Sequence, residues 1–496
     1  MNDFIYHISD NIDHIIRSIP LLKVELILAI GFLVSIVGTL FIDKHWKGFS
    51  FYTTIVTLLG AITALLTQYQ VINTGFFGML TLDKMSFLNR FLLLSTLIVI
   101  SLFLKQYLEK TKFKKRKGDL YSLLLTAGIG LNLLTMTSNW LLAFIAIEIV
   151  SICSYLLVGY FSQNKKHAEA AMKYALFGAA CSAIMLYGLS LVYGFTGELD
   201  FANPRHIQGL ISAPVPITSI ALVFIFTGIG FKLSFVPFHL WTPDVYQGAP
   251  TPVTAFLSTA PKIAILVLLA RLSSSWISTG FYFSELTFLI ITFIAIITML
   301  AGNLIALRQT DIKRMMAYSS IGHTGFLLMA IIAYCNGHQD VLLFYVTVYT
   351  LMNLASFGFI DVLEQHTGKT SFASYTGMGK HWPFVFGWLT ILGISLIGIP
   401  PTSGFFGKLL IFTTIFELYQ HAGDPIFLWL LITGALTTVI SLFYYFKIPL
   451  HAFLKNTQEA QVIGKFPISS TLIIAVTLSI FVLILGVFPY LILNLF

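Results

Sequence analysis

Stretches of about 20 apolar residues follow one another along almost the whole chain, and they limit its possible folds more than any other sequence feature. A helix of about that length spans the hydrocarbon core of a bilayer. Of the 496 residues, 57% are hydrophobic and only 10% are charged, whereas about a quarter of the residues of a soluble domain are charged. The chain is therefore predicted to be an integral membrane protein.

The apolar segments show no alternation of polar and apolar residues. The stretch TLIIAVTLSIFVLILGVFPYLILNL is apolar on every face, while a strand of a membrane β-barrel alternates polar and apolar residues. The prediction is an all-α fold, a polytopic bundle of about fourteen transmembrane helices. Their predicted starts lie near residues 22, 50, 84, 119, 139, 172, 215, 252, 283, 313, 340, 383, 426 and 470.

The basic residues are concentrated in alternate connections, which explains a net charge of +8 without nucleic acid as a partner. Clusters follow predicted helices 1, 3, 5, 9, 11 and 13, so the positive-inside rule places these connections in the cytoplasm and both termini outside. KTKFKKRK at 110–117 is interpreted as a topology anchor with some attraction to anionic lipid. The polar, acidic first twenty residues do not resemble a cleaved signal peptide and are predicted to be a short external segment.

Five charged residues remain at membrane depth once the loops have been accounted for. They are Glu148, Lys173, Lys232, Lys262 and Lys408. A charge at the bilayer centre costs roughly 2.5 to 3.5 kcal/mol on insertion scales, so such residues usually face a protein interior or water and have a function. Five of them in one chain need a common explanation.

Glu148 and Lys173 lie on predicted helices 5 and 6, which are antiparallel neighbours. They are predicted to form an ion pair, either a static structural one or one whose strength changes as protons move. Lys262 is about ten residues from either end of predicted helix 8, too deep for its ammonium to reach water comfortably. Because desolvation makes a buried ammonium easier to deprotonate, Lys262 is the foremost candidate for proton exchange, with a structural role as the alternative.

The segment GIGFKLSFVPFHLW at 228–241 places two more titratable residues beside a proline. Pro237 has no N–H donor, so it should release the carbonyl of Leu233 and break predicted helix 7 just after Lys232. A broken helix at membrane depth is tolerated where it lines a hydrated cavity. Lys232 and His239 are predicted to handle protons across this break, with a hydrogen-bonded structural role as the alternative for His239.

A second apolar stretch, LTILGISLIGIPPTSGFFGKLLIFTTIFELY, is interrupted by Pro400 and Pro401 and then carries Lys408. Two broken helices, five helices apart and each with a lysine, predict an internal repeat around a transport site. His323 in AYSSIGHTGF lies in the middle of predicted helix 10. It is either part of that site or a core histidine satisfied by nearby hydroxyls.

Motifs for redox and nucleotide chemistry are absent from the sequence. There is no Walker A loop, no dinucleotide fingerprint after a strand and no HExxH. The three cysteines, Cys153, Cys181 and Cys335, have neither the spacing of an iron–sulfur site nor that of a disulfide framework. The chain is therefore predicted to carry no redox centre.

Two segments, FKLSFVPFHLWTPDVYQGAPTPVTAFLSTAPKIA and GNLIALRQTDIKRMMAYSSIGHTGFLL, resemble the antiporter-like membrane subunits of respiratory complex I, the NADH-quinone oxidoreductase. The similarity covers nearly all fourteen predicted helices, and HLWTPDVYQGAP is quite specific. Lys408 matches the lysine of the second broken helix, where the sister subunit M carries a glutamate, and the short C-terminus differs from subunit L. The resemblance is therefore strongest to the N-type subunits.

This resemblance implies two inverted five-helix repeats with discontinuous helices 7 and 12. The implied divisions are helices 1–3 in residues 1–118, a first repeat in 119–273, a second repeat in 283–446, and a C-terminal connection with helix 14 in 447–496. The mid-membrane titratable axis of the family falls on Glu148, Lys173, Lys232, Lys262 and Lys408. Pro261 departs from the family pattern, since a small residue is expected there, and it is predicted to kink helix 8 and free the carbonyl of Leu257.

The resemblance also implies proton translocation coupled to quinone reduction elsewhere in the complex. No cofactor is expected in this chain, while FMN, iron–sulfur clusters and quinone are expected in other subunits. The implied partners are the other antiporter-like and small membrane subunits of complex I, within a bacterial plasma membrane. The alternatives are a subunit of a cation/proton antiporter complex, which would move sodium without NADH or quinone, and a structural scaffold, which would tolerate neutralisation of Lys262.

Overall fold

The structure, a computed structural model, describes residues 11–43, 45–69, 73–111, 117–277, 280–455 and 469–495. Within these residues the chain is a bundle of long helices. Most of the anchor KTKFKKRK, and half of the predicted external segment, lie outside the described residues.

Thirteen helices of the described chain are long and apolar enough to cross a membrane, and a bent pair, Phe372–Lys380 with Pro383–Ile397, raises the number to fourteen. The thirteen are α1 (Lys23–Phe41), α2 (Phe49–Leu66), α3 (Lys84–Lys110), α4 (Asp119–Met136), α5 (Trp140–Gly159), α6 (Lys165–Thr196), α7a (Val215–Leu233), α8 (Thr251–Ile277), α9 (Tyr282–Ala306), α10 (Ile312–Cys335), α11 (Gln339–Thr367), α13 (Pro425–Tyr445) and α14 (Ser470–Val487). The predicted all-α bundle is confirmed, and every predicted start lies within a turn or two of an observed one.

Both predicted helix breaks are present. Helix 7 ends at Leu233 and resumes as α7b (Trp241–Gly248), so Pro237 lies in the interruption. Helix 12 consists of α12a (Pro383–Ile397) and α12b (Ser403–Ala422), with both prolines between them. By contrast, α8 continues across Pro261 from Thr251 to Ile277, because a single lost backbone donor does not end a helix that is packed on all sides.

Short elements occupy the connections. The strands β1 (Asn73–Gly75) and β2 (Leu80–Leu82) form an antiparallel hairpin in which Asn73 is opposite Leu82. A short helix, Pro204–Ser212, precedes α7a, and single helical turns lie at Ile19–Leu22, Phe372–Tyr375, Met378–Lys380, Lys447–Pro449, Leu450–Leu454 and Tyr490–Leu493.

Three helices, α8, α10 and α11, form the centre of the bundle and are almost entirely buried. They pack against one another along their lengths, and the outer helices cover them. A helix shielded in this way can carry polar side chains that would be costly in contact with lipid. The central position of α8 therefore permits Lys262.

The pair α9 and α10 is held together by close backbone contact. A Cβ atom placed on Gly302 would lie 2.4 Å from the backbone nitrogen of Gly322. No side chain larger than hydrogen fits at this contact, which is the small-residue packing common between membrane helices.

A buried ion pair joins the first helices. Arg90 on α3 is fully buried, and its guanidinium lies 2.8 Å from the Glu25 carboxylate of α1. Gln68 and Asn132 accept its remaining hydrogen bonds, at 3.2 and 3.3 Å. Because these groups come from α1, α3, α4 and the segment after α2, the cluster fixes the N-terminal helices in one arrangement.

Candidate functional site

Lys262 occupies a complete hydrogen-bonding site in the centre of the bundle. The residue is 1% exposed. Its Nζ lies 2.7 Å from the Ser320 hydroxyl, 3.2 Å from the Ser320 carbonyl and 2.9 Å from the Thr324 hydroxyl. An ammonium has three N–H donors, so all of them find an acceptor on α10. Among the described residues no carboxylate forms an ion pair with Lys262.

Hydroxyl groups extend outward from this lysine as a chain. The Ser320 and Tyr349 hydroxyls are 2.7 Å apart, and Tyr349 donates to the carbonyl of Ser258 at 3.0 Å. Since the single Tyr349 proton goes to that carbonyl, Ser320 donates to Tyr349 and accepts from Lys262. Every hydrogen bond in this chain therefore points away from the lysine.

The backbone groups exposed at the break in helix 7 form hydrogen bonds with neighbouring side chains and backbone. The Thr324 hydroxyl lies 3.0 Å from the carbonyl of Leu233, the group that Pro237 was predicted to release. The Trp241 indole donates to the carbonyl of Phe231 at 3.0 Å. Thr324 thus contacts both Lys262 and the end of α7a, which joins the broken helix to the central lysine.

Lys232 lies in the last turn of α7a and is 6% exposed. Its Nζ is 2.5 Å from the Ser151 hydroxyl and 3.5 Å from the Tyr155 hydroxyl. These residues share one face of α5 with Glu148, because they are spaced by three and four positions. Glu148 accepts a hydrogen bond of 2.6 Å from Ser182 and acts electrostatically on Lys232.

The predicted ion pair between Glu148 and Lys173 is wrong. Lys173 instead pairs at 2.8 Å with Glu169, one turn earlier on α6, and at 2.8 Å with Asp244 of α7b. Its side chain is 38% exposed, so it is not buried as the other three lysines are. The physical reason is that Lys173 is only two turns into α6, where nearby acids at the helix end are within its reach.

Asp244 connects two cations at the mouth of a polar cavity of about 790 Å³. One of its oxygens contacts Lys173, and the other lies 2.7 Å from Arg314. The cavity wall includes Lys110 at the end of α3, together with Asn164, Asp311 and Lys369 from the connections that follow α5, α9 and α11. These four predicted cytoplasmic connections therefore lie on the same side of the bundle.

The two histidines occupy different surroundings. His323 of α10 is hydrogen-bonded through Nδ1 to the Tyr345 hydroxyl at 2.9 Å, and its Nε2 is 3.4 Å from Tyr445. It thus contacts hydroxyls, as one of the two predictions for it stated. His239 lies in the helix 7 break, and its buried Nδ1 has no hydrogen-bond partner among the described residues.

Lys408 is held by the end of the preceding half-helix. The residue is 4% exposed, and its Nζ lies 2.8 Å from the carbonyl of Ile397 and 3.3 Å from that of Leu396. The C-terminal carbonyls of a helix attract a cation. The Phe326 ring lies near both Lys408 and His323, with its centre 4.6 Å from the Lys408 Nζ and 6.3 Å from the centre of the His323 ring.

Sequence reasoning identified Glu148, the lysines and both histidines, but it missed the hydrogen-bond and ion-pair partners of the lysines. Ser320, His323 and Thr324 are spaced by three and one positions within AYSSIGHTGF, so one face of α10 carries three polar groups. That spacing was a usable signal. Ser151 and Asp244 offered none, because both reach their lysines from distant parts of the chain.

Comparisons with known proteins agree with this architecture. Residues 137–441 match the family described as NADH:quinone oxidoreductase/Mrp antiporter, TM. The chain is 39% identical over 450 residues to NAD(P)H-quinone oxidoreductase subunit 2 of Trichodesmium erythraeum, covering 89% of this chain and 83% of that protein. It is 34% identical over 439 residues to NADH-quinone oxidoreductase subunit N of Chlorobium chlorochromatii, covering 87% and 84%.

A solved structure gives the same result in three dimensions. A chain of respiratory complex I from Thermus thermophilus with bound aureothin superposes with a TM-score of 0.77 at 28% identity, over 95% of this chain and 98% of that one. With its helical bundle, its two broken helices and these relatives, the chain belongs to the NADH:quinone oxidoreductase/Mrp antiporter family of membrane subunits.

Proposed function

We propose that this chain is an N-type subunit of an NADH-quinone oxidoreductase and moves protons through a relay that includes Glu148, Lys232, Lys262, His323 and Lys408. One observation carries the proposal. Lys232, Lys262 and Lys408 are all buried, and none of them has an ion-pair partner among the described residues. Purely structural buried charges are normally paired, because an unpaired buried charge is costly.

The site around Lys262 suits both charge states of the lysine. When Nζ is an ammonium, the hydroxyls of Ser320 and Thr324 accept from it. After a proton leaves, either hydroxyl rotates and donates to the neutral amine. A carboxylate in their place would hold the proton on the lysine. Neutral hydroxyls therefore let Lys262 alternate between donor and acceptor.

The other two lysines have distinct roles in this relay. Lys232 donates to Ser151 on α5, the helix that also carries the acid of the relay, Glu148. Its neighbour in sequence, Leu233, is bonded through Thr324 to Lys262. Lys408 donates to two backbone carbonyls, and its Nζ lies 3.5 Å from the Thr438 hydroxyl, which can donate to the amine once the lysine is neutral. His239 remains a candidate member, since its unpartnered Nδ1 lies in the break beside Lys232.

Quinone reduction in other subunits would drive this transfer. We assign no cofactor to this chain and place FMN, iron–sulfur clusters and quinone in its partners. The division into inverted repeats, residues 119–273 and 283–446, is part of the same proposal. It is supported by the two broken helices, each with a lysine close to the interruption.

Lys173 is assigned to the cavity mouth and not to the relay. Replacing Lys173 by Met and Asp244 by Asn together should reduce pumping no further than the poorer single replacement, because the two groups bond to each other. Lys173→Met and Glu148→Gln should instead give additive losses on a logarithmic scale. The measurement is proton uptake by proteoliposomes, and coupling between Glu148 and Lys173 would contradict the assignment.

Neutralising the central lysines should uncouple proton movement from electron transfer. Lys262→Met or Lys232→Met in the assembled complex should lower the pumping rate by about tenfold or more, as expected for loss of an acid–base group. The exposed Lys165, changed to Met, is the matched control and should pump normally. Wild-type pumping by an assembled Lys262→Met complex would exclude the relay.

Position 408 should require a side chain that can lose its proton. Lys408→Arg keeps the charge, yet guanidinium stays protonated at any relevant pH. The complex is expected to assemble and to reduce quinone but to move fewer protons per NADH oxidised. A wild-type ratio in this variant would show that deprotonation of Lys408 is not needed.

Both termini are proposed to face the outer side of a bacterial plasma membrane. The support is the basic connections and their gathering on one side of the bundle. Epitope tags placed at each end should be removed by protease added to spheroplasts. Tags that are cleaved only after lysis would reverse the orientation.

A further inference from the structure

The last long helix of the bundle, α14, lies directly against the break in helix 12. A Cβ atom placed on Gly486, near the end of α14, would lie 2.5 Å from the carbonyl carbon of Thr402 and 2.6 Å from the backbone nitrogen of Ser403. It would also overlap the carbonyl oxygen of Pro401. All three are backbone atoms, which cannot turn aside as the end of a long side chain can. The backbone of α14 therefore contacts the backbone of the break, and only glycine fits between them.

The hydrogen bonds of Lys408 span this break. The lysine belongs to α12b, whereas the carbonyls of Leu396 and Ile397, which accept from its Nζ, belong to the end of α12a. The two halves also meet at Gly404, whose backbone N–H donates to the Ser395 hydroxyl at 3.3 Å. Residues 398–402 connect the halves, so their position sets the distance between the ammonium and its two carbonyls.

The beginning of α14 is anchored to other helices. The side-chain oxygen of Gln106 on α3 accepts hydrogen bonds from the Ser470 hydroxyl at 2.9 Å and from the Thr471 backbone N–H at 2.7 Å. Further along, α14 packs on the central helix α11, where a Cβ atom placed on Gly358 would lie 3.0 Å from the Cβ of Ala475. These contacts prevent α14 from moving freely away from helix 12.

The break is the more deformable side of the Gly486 contact. Residues 398–402 lie outside both half-helices, and Pro400 and Pro401 have no N–H to donate. By contrast, α14 is an uninterrupted helix from Ser470 to Val487, in which each turn is bonded to the next. A side chain added at position 486 should therefore displace the break more than it displaces α14.

We propose that α14, held at its start by Gln106, positions Lys408, because the contact of Gly486 with the break keeps α12a and α12b at the spacing in which the ammonium reaches the carbonyls of α12a. This inference rests on the proposed relay, in which Lys408 takes part, and adds the element that positions it. Gly486 acts through the backbone of the break, so it is a positioning residue. Displacement of the break takes acceptors away from the ammonium and makes Lys408 a poorer carrier of the proton.

The test uses the complete complex in proteoliposomes, with proton uptake and quinone reduction measured together. Gly486→Ala should lower the pumping rate by about tenfold, the effect of losing one hydrogen bond to a charged group. Alanine is a better helix former than glycine, so weakening of α14 itself cannot explain such a loss. Gly387→Ala is the matched control and should pump normally, because a Cβ atom placed on Gly387 of α12a meets no heavy atom of the neighbouring described residues within 4 Å.

A double-mutant cycle separates positioning of Lys408 from a general effect on the fold. In a Lys408→Met complex there is no ammonium to position, so adding Gly486→Ala should not reduce the remaining pumping further. An equal fractional loss in both backgrounds, or normal pumping by an assembled Gly486→Ala complex, would overturn the inference and leave the relay intact. Normal pumping by Lys408→Met would instead remove Lys408 from the relay, and the inference with it.

Gln106 provides a second test that adds no bulk at the break and so covers a Gly486→Ala complex that does not assemble. Gln106→Met removes the acceptor at the start of α14 and should lower pumping less than Gly486→Ala, and only where Lys408 is present. Gln106→Glu keeps an acceptor oxygen and should recover most of the loss, since the replaced Nε2 has no partner among the described residues. If Gly486→Ala does not assemble, normal pumping by Gln106→Met beside a deficient Lys408→Met would overturn the inference.

Discussion

The structure depends on satisfying backbone carbonyls that a broken helix exposes within the membrane. A helix in hydrocarbon needs all its backbone groups bonded, so an interruption is stable only where other groups replace the lost partners. At helix 7 the replacements are the Thr324 hydroxyl and the Trp241 indole. At helix 12 the free carbonyls of Leu396 and Ile397 bind Lys408. Each break therefore requires a polar partner, and those partners form the site.

Neutral partners give the site its chemical character. Where this chain uses an ion pair for structure, as between Arg90 and Glu25, the charges touch at 2.8 Å and neutral side chains complete the arrangement. The lysines of the site are treated differently, because hydroxyls and carbonyls surround them. A strong carboxylate contact fixes a charge, whereas a hydroxyl accepts or donates as the lysine changes state. The described bundle thus contains buried charges in ion pairs, such as Arg90 with Glu25, and buried lysines that have only neutral partners.

Much of the fold and of the candidate site was predictable from the sequence, for identifiable reasons. The lengths of the apolar segments predicted the helices, and the prolines predicted both breaks. The distance of Lys262 from the helix ends predicted that it is buried. The pairing of Lys173 was not predictable, since Asp244 is 71 positions away and comes close only when helix 7 breaks and turns. Neutral partners such as Ser151 were missed because a serine in an apolar helix is common and costs little. A sequence shows which residues are charged, but the groups that solvate each charge depend on how the helices pack.

The close contact of Gly302 with Gly322 has a consequence for the rate at which the proposed relay rearranges. It prevents α10 from sliding against α9, so the helix that presents Ser320 and Thr324 to Lys262 is a fixed support. In the proposed relay the moving parts are then hydroxyl hydrogens, whose rotation belongs to the picosecond to nanosecond range of side-chain motion. Such a relay responds almost instantly to a change in charge. In the proposed relay, events slower than these rotations therefore set the turnover time, in the arrival of protons or in the partner subunits that drive them.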